Sequence, residues 1–290
     1  HIKTLCGIAE GKTEVSFYDQ SLKAPDAVLL SFDLELNRAL TSVNLLYNEL
    51  GDGAAAVVAA AKQQGKIKTL CGITSGQAKV DLSLNTMGKS LRAPDAVLLS
   101  FDLEFNGALT ALDVRDNVLG DGSAALAEVV SKSRRIVTFC EVPVKQMRDD
   151  ALTELDLSGE NIGACGAMVV AHLLEFSRSL KSAKLGSNSI RGEGTTALSE
   201  ALKSNNTLEE LELLGNEIGV AGAQSLANML QFNGALTSVN LLANDLGDGA
   251  AAVVAAAKQN GNIKTLCGIE EAKLKSSCGT STWKRQVRSF

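Results

Sequence analysis

The chain has 290 residues, 45% of them hydrophobic and only 4% aromatic, and a formal net charge of -5. An acidic, aromatic-poor chain has neither the basic footprint nor the stacking platforms of a nucleic-acid binder, so DNA and RNA are excluded as partners. Its longest strongly apolar runs, AAAVVAAA at residues 54–61 and 250–257, fall far short of the ~20 residues that cross a bilayer, so no transmembrane segment is expected.

The chain opens HIKTLCGI, and the string IKTLCGI returns at residues 67–73 and 263–269. It therefore starts inside a repeat. Residues upstream of His1 are expected to have been removed or to lie outside the sequence, because a terminal repeat needs a polar cap. Coils begin at Ile2, Leu40, Ile67, Leu109, Ile136, Leu180, Leu208, Leu236 and Ile263. Five intervals are about 27 or 28 residues, whereas those from Ile2, Ile67 and Ile136 are about 38, 42 and 44. Each long unit holds a second strand-like piece: TEVSF at 13–17, KVDLSL at 79–84, and LTELDLSGENIG from Leu152. Each is either an extra coil or a hairpin partner of the preceding strand. A parallel return in ten residues is too short, which favours a hairpin or an extended passage in the first two units.

APDAVLLSFDLE is identical at residues 24–35 and 93–104, and residues 37–73 nearly repeat at 233–269, so the array grew by copying. Pro25 and Pro94 suit the first turn of a helix, and Asp26 and Asp95 complement its N-terminus. The glycines of GDGAAA and GEGTTA read as turn residues at helix starts. EVPVKQMRDD, residues 141–150, is the least repeat-like interior stretch and reads as a surface loop. From Glu270 the repeat is abandoned for a basic tail or cap with Lys273, Lys275, Lys284, Arg285 and Arg288 around the single Trp283.

The best-formed unit is LEELELLGNEIGVAGAQSLANMLQFNGA, residues 208–235. Leu208, Leu211 and Leu213 space a short strand, Asn216 closes the turn and Ile218 re-enters the core. Ala221, Leu226, Met229 and Leu230 then form a helical stripe. Neither piece buries its apolar side alone, and stacked copies do. These residues resemble the leucine-rich repeat family, specifically its ribonuclease-inhibitor-like class, marked by LxxLxLxxNxLG and an Ala- and Leu-rich helix. The tandem units are similar to those of repeat proteins of unicellular algae and of NLR-type leucine-rich repeat domains. The resemblance covers residues 2–269. It implies an α/β solenoid, a horseshoe with a parallel concave sheet and convex helices, but no single activity. One repeat domain, 1–269, followed by the segment 270–290 is the expected organisation.

Asn48, Asn117, Asn188, Asn216 and Asn244 hold one turn position and are expected to bond backbone groups of the adjacent coil. Glu160-Asn161 displaces that Asn by one place. Cys6, Cys71, Cys140 and Cys267 also share a position, on coils that are not consecutive. Strands ~4.8 Å apart then separate the sulfurs by ~10 Å, too far for zinc or a disulfide. Free thiols in the cytoplasm or another reducing compartment follow, or a plastid if a transit peptide was removed; Cys278 is the most reactive. His1 and His172 pair with no nucleophile, and no phosphate-binding or dinucleotide motif occurs, so neither an enzymatic activity nor a cofactor is expected.

The informative positions are those left free on the strands. Position five of the coil reads Asn44, Asp113, Asp156, Lys184, Glu212 and Asn240. Position seven, which alternation points outward, reads Ile8, Leu46, Ile73, Arg115, Val142, Ser158, Gly186, Leu214, Leu242 and Ile269. It either forms an apolar docking stripe or tucks under the turn. A protein partner is expected on the concave face, at Asn44, Leu46, Tyr47, Asp113, Arg115, Asp156, Lys184, Glu212, Leu214, Asn240 and Leu242. The alternatives are a subunit of a larger assembly and a GTPase-activating-type regulator, for which Arg115 is the one position-seven arginine.

Overall fold

The computed structural model describes residues 4–74 and 76–270. Its coils divide into two compact units between Phe139 and Cys140. His1 and Ile2, and the tail from Glu271 with Cys278, Trp283 and the five basic residues, lie outside the described residues.

The first unit runs β1 (Glu14–Ser16), α1 (Ala24–Leu36), β2 (Ser42–Asn44), α2 (Gly53–Gln64), β3 (Lys79–Asp81), α3 (Leu84–Met87), α4 (Ala93–Phe105), β4 (Ala111–Asp113), α5 (Gly122–Lys132) and β5 (Thr138–Phe139). β1 pairs with β2, and β3 with β4 and β4 with β5, all parallel. TEVSF and KVDLSL are therefore not hairpin partners. Each opens a full coil whose return is carried by α1 or α4, which is the length a parallel crossover needs.

The abbreviated piece is instead IKTLCGI, where Thr69 and Cys71 make only isolated bridges to Ser42 and Asn44. No helix follows it before β3, and a carboxylate from α4 completes its bonding. Asp102 accepts Leu70 N–H at 2.6 Å, Cys71 N–H at 3.2 Å and the Thr69 hydroxyl. In α1, Asp33 holds the first copy in the same way, accepting Leu5 N–H at 2.6 Å, Cys6 N–H at 2.9 Å and the Thr4 hydroxyl. Both helices begin with Pro in the first turn, and Asp26 and Asp95 accept the N–H of Lys23 at 2.8 Å and Arg92 at 2.9 Å. In GDGAAA only the first glycine is a turn residue, at φ +49 for Gly51. A Cβ on Gly53 would lie 2.7 Å from both Ala24 O and Ala27 Cβ, so Gly53 lets α2 approach α1.

The second unit holds α6 (Val144–Arg148), β6 (Glu154–Asp156), α7 (Gly163–Leu174), β7 (Ser182–Lys184), α8 (Arg191–Ser204), β8 (Glu210–Glu212), α9 (Gly219–Phe232), β9 (Ser238–Asn240), α10 (Gly249–Asn260), β10 (Thr265–Leu266) and β11 (Ile269–Glu270). β6 to β10 form one parallel sheet, in which Glu154, Ser182, Glu210 and Ser238 lie side by side, each 28 residues beyond the last. β11 folds back antiparallel on β10 and keeps Glu270 in the sheet. EVPVKQMRDD is not a surface loop: it contains α6, and Val142, Val144 and Met147 are buried. Its apolar residues at 142, 144 and 147 account for this.

The five turn asparagines bond across coils. Asn48 accepts Gln20 and Leu22 N–H at 3.1 and 3.0 Å and donates to Phe17 O at 2.8 Å. Asn117 accepts Leu91 N–H at 2.6 Å and donates to Leu82 O at 2.9 Å. Asn188, Asn216 and Asn244 donate to Leu157, Leu185 and Leu213 O at 2.7, 2.8 and 2.8 Å. A second run of asparagines bonds across coils at the helix ends: Asn205, Asn233 and Asn260 donate to Leu174, Leu202 and Leu230 O, at 2.8, 2.6 and 2.5 Å. Its signal was the Asn a few residues before each coil start.

Candidate interaction surface

In the first unit the sequence-selected positions are largely engaged internally. Asn44 is half-buried and its Oδ1 accepts Leu46 N–H at 3.2 Å. Leu46 is 3% exposed and, in the second unit, Val142 is 0% exposed, so at these two coils position seven is core rather than docking stripe. The reason is local: β2 ends at Asn44, and beyond a strand's end the two-residue alternation no longer applies. Tyr47 adopts a left-handed backbone at φ +62, donates its N–H to Asp95 Oδ1 at 2.8 Å and meets the Tyr18 ring edge-on at 5.2 Å. Burial pushes its hydroxyl up to about 12. The Arg115 guanidinium is held by Asp113 in a two-pronged contact, with Nε and Nη2 2.9 and 2.8 Å from Oδ2 and Nε 3.1 Å from Oδ1. That arginine is occupied by its own strand.

The second unit presents a more open strand face. Asp156 and Lys184 are exposed, and Glu212 and Asn240 half-buried. Glu154 and Glu210 stand two positions earlier on their strands, both exposed, with Ser182 beside Glu210 at 3.3 Å. The face thus carries four carboxylates and one amine. Lys184 and Glu212 are register partners on neighbouring strands yet form no ion pair among the described residues. One residue outside the strands, by contrast, Lys181 and Glu209 pair at 2.9 Å. The Asp156 carboxyl is held below its ordinary range, chiefly because Ser158 N–H donates to it at 3.1 Å. Leu214 and Leu242 at position seven are half-buried, a thin apolar margin beside the carboxylates.

Cys71, Cys140 and Cys165 are buried, Cys6 and Cys267 partly so, and none of the five is in a disulfide. Burial pushes the Cys165 thiol up to about 12 and the Cys71 thiol well above its ordinary range, with Asp102 beside Cys71 adding to the rise. Thiolates are therefore scarce at neutral pH. A disulfide-exchange reagent is expected to count six thiols in denaturant without reductant, and in native buffer to leave Cys71 and Cys165 the slowest. A lower denatured count would mean that a disulfide exists. Among the described residues no three His, Cys, Asp or Glu side chains are grouped to hold a metal ion, and no helix is long and apolar enough to cross a membrane.

Comparison with curated proteins finds no match. Solved structures with similarity include the actin-binding site 2 of leiomodin-1, at 19% identity and TM-score 0.41 over 51% of this chain and 92% of that one. An internalin, inlF of Listeria monocytogenes, aligns at 13% identity and TM-score 0.24 over 88% of this chain and 86% of that one. The family model described as "Leucine Rich repeat" matches residues 204–227, which span the end of α8, β8 and the start of α9. That coil recurs in register through β6 to β10, and its strand, asparagine turn and helix return in the first unit: the fold is a leucine-rich-repeat-type α/β solenoid, and the coil at residues 204–227 is similar to the Leucine Rich repeat family.

Proposed function

We propose that the chain is a non-enzymatic protein-binding module that holds a basic segment of a protein partner on the strand face of its second unit. The observation that carries this reading is the set Glu154 and Asp156 on β6 and Glu210 and Glu212 on β8, flanking β7, whose Lys184 alone offsets them. In this fold the strand and helix cores are spent on stacking, and recognition falls to the side chains left outward. Carboxylates held by serine donors rather than by ion pairs keep most of their charge for an approaching cation, so they steer a positively charged partner and set its orientation more than they add raw affinity. The engagement of Arg115 by Asp113 weighs against a role as a regulator presenting an arginine to a nucleotide.

The test is affinity capture from cell extract with the wild type and with Asp156→Lys/Glu212→Lys. Both sites are at the surface, so the melting curve is expected to be unchanged. A partner retained by the wild type is expected to bind the variant at least about tenfold more weakly, and to bind the wild type more weakly as salt rises. Undiminished, salt-independent binding by the variant moves recognition off this face.

A further inference from the structure

In the first unit three helices hand the chain back to the strands at one edge. Gly65, Asn106 and Ser133 end α2, α4 and α5. Thr69 bridges Ser42 in parallel and β5 lies parallel to β4, so the segments that follow the helices, residues 65–68, 106–110 and 133–137, stand at the same end of the strands. Contacts run from each segment to the next. Lys62 pairs with Glu104 at 3.0 Å, and the Lys68 ammonium lies over the Phe105 ring, 5.5 Å from its centre. A Cβ on Gly107 would lie 4.0 Å from Cζ of Arg135, and Val137 N–H donates to Thr110 O at 2.7 Å.

The whole chain carries a net charge of -5, yet this edge is basic. Lys66, Lys68, Arg134 and Arg135 are exposed, and none of the four forms an ion pair among the described residues. The carboxylates at the helix ends are already engaged, Glu104 by Lys62 at 3.0 Å and Glu128 by Lys132 at 2.5 Å. Two apolar side chains stand among the cations: Phe105 is 40% exposed and Val137 43%. The core does not require either, since Phe101 and Phe139 fill it at 1% and 0% exposure one helical turn and two residues away. Phe105 leans on Phe101, with 4.6 Å between ring centres, and is held outward rather than left loose.

We infer that this edge is a docking surface for an anionic phospholipid bilayer. Lys66, Lys68, Arg134 and Arg135 meet the lipid phosphates and carboxylates, while Phe105 and Val137 enter the boundary between headgroups and acyl chains. Charge complementarity carries the inference, because four cations without internal partners are gathered at one edge of an acidic chain. Apolar side chains set singly on successive coils suit a fluid interface that closes around each, whereas a folded partner fits one contiguous patch. A single ring with Lys68 already over it makes no stacking platform, which argues against a nucleic acid. The surface is separate from the strand face of the second unit and brings a partner held there to a membrane.

Co-sedimentation with vesicles of phosphatidylcholine containing about one-third phosphatidylserine tests this. The wild type is expected to sediment with them, to ignore vesicles of phosphatidylcholine alone, and to be released as salt rises. Lys68→Glu/Arg135→Glu, at exposed sites, is expected to keep its melting temperature and to bind about thirtyfold or more weakly; Lys66→Glu/Arg134→Glu repeats the test at the other two cations. Phe105→Ser is expected to weaken binding severalfold while leaving its salt dependence unchanged. No sedimentation with the anionic vesicles, equal sedimentation with both lipids, or undiminished binding by the charge-reversed variants would each overturn the proposal. Polyglutamate or a single-stranded oligonucleotide that displaces the vesicles at equal charge concentration would overturn it too, assigning the edge to an acidic protein or a nucleic acid.

Discussion

Replacing Asp102 with alanine is expected to cost the first unit about 3 kcal/mol or more, because it orphans two buried backbone donors at once. Leu70 is 0% and Cys71 4% exposed, so water cannot take over from the carboxylate. Burial outweighs the three hydrogen bonds and lifts the Asp102 carboxyl from the ordinary 3.8 to about 7. A folded-state value above the unfolded one means that the native chain binds the extra proton. The contribution of this group to stability is therefore full below about pH 4 and is lost as pH rises through about 7. Asp102→Asn removes the titration while keeping one acceptor. The stability of the wild type relative to this variant is thus expected to fall between those pH values. Urea midpoints across pH, with amide exchange at Leu70 and Cys71 as the local readout, check both points. Parallel pH profiles for the wild type and Asp102→Asn would show that the carboxyl titrates normally.

The same residue explains where sequence reading stopped. IKTLCGI carries the apolar spacing of a coil start, and by that spacing TEVSF and KVDLSL read as surplus strands. The deciding group, Asp102, lies 31 residues beyond Cys71 on another element, where no local pattern points back to it. The coils from Leu180 to Leu236 were legible because strand, turn and helix signals agree in each. Asn161, one place off pattern, follows β6, the edge strand of its sheet, so its turn has no earlier strand in that sheet to bond. Of the surface positions, Asp156, Lys184 and Glu212 were legible from alternation within their strands. Leu46 was not, since it lies two residues past the end of β2 and its burial follows from how the turn folds under.

Asn216→Ala is expected to be the other costly change, again about 3 kcal/mol or more, and it separates a bonded turn from a merely polar one. Asn216 is 0% exposed; its Oδ1 accepts Asn188 and Ile190 N–H at 3.0 and 3.3 Å, and its Nδ2 donates to Leu185 O at 2.8 Å. Alanine leaves both donors and the carbonyl without partners, each costing roughly 1–3 kcal/mol before relaxation. In a stacked array the damage falls on the interface between that coil and the one before it, so amide protection should drop first at Asn188 and Ile190. Asn216→Asp divides the two halves of the contact. The carboxylate keeps the acceptor for Asn188 and Ile190 but faces Leu185 O with a negative charge in a buried site, so it is expected to destabilise at neutral pH. Once protonated it regains an O–H donor for Leu185 O. Its folded-state pKa is thus raised above the unfolded value, and stability should recover as pH falls through the raised value. A urea midpoint for Asn216→Asp that rises on acidification, while that of Asn216→Ala does not follow it, identifies the donated bond to Leu185 as the missing element. Equal midpoints for the wild type and Asn216→Ala at neutral pH would remove the asparagine ladder from the forces that hold these coils together.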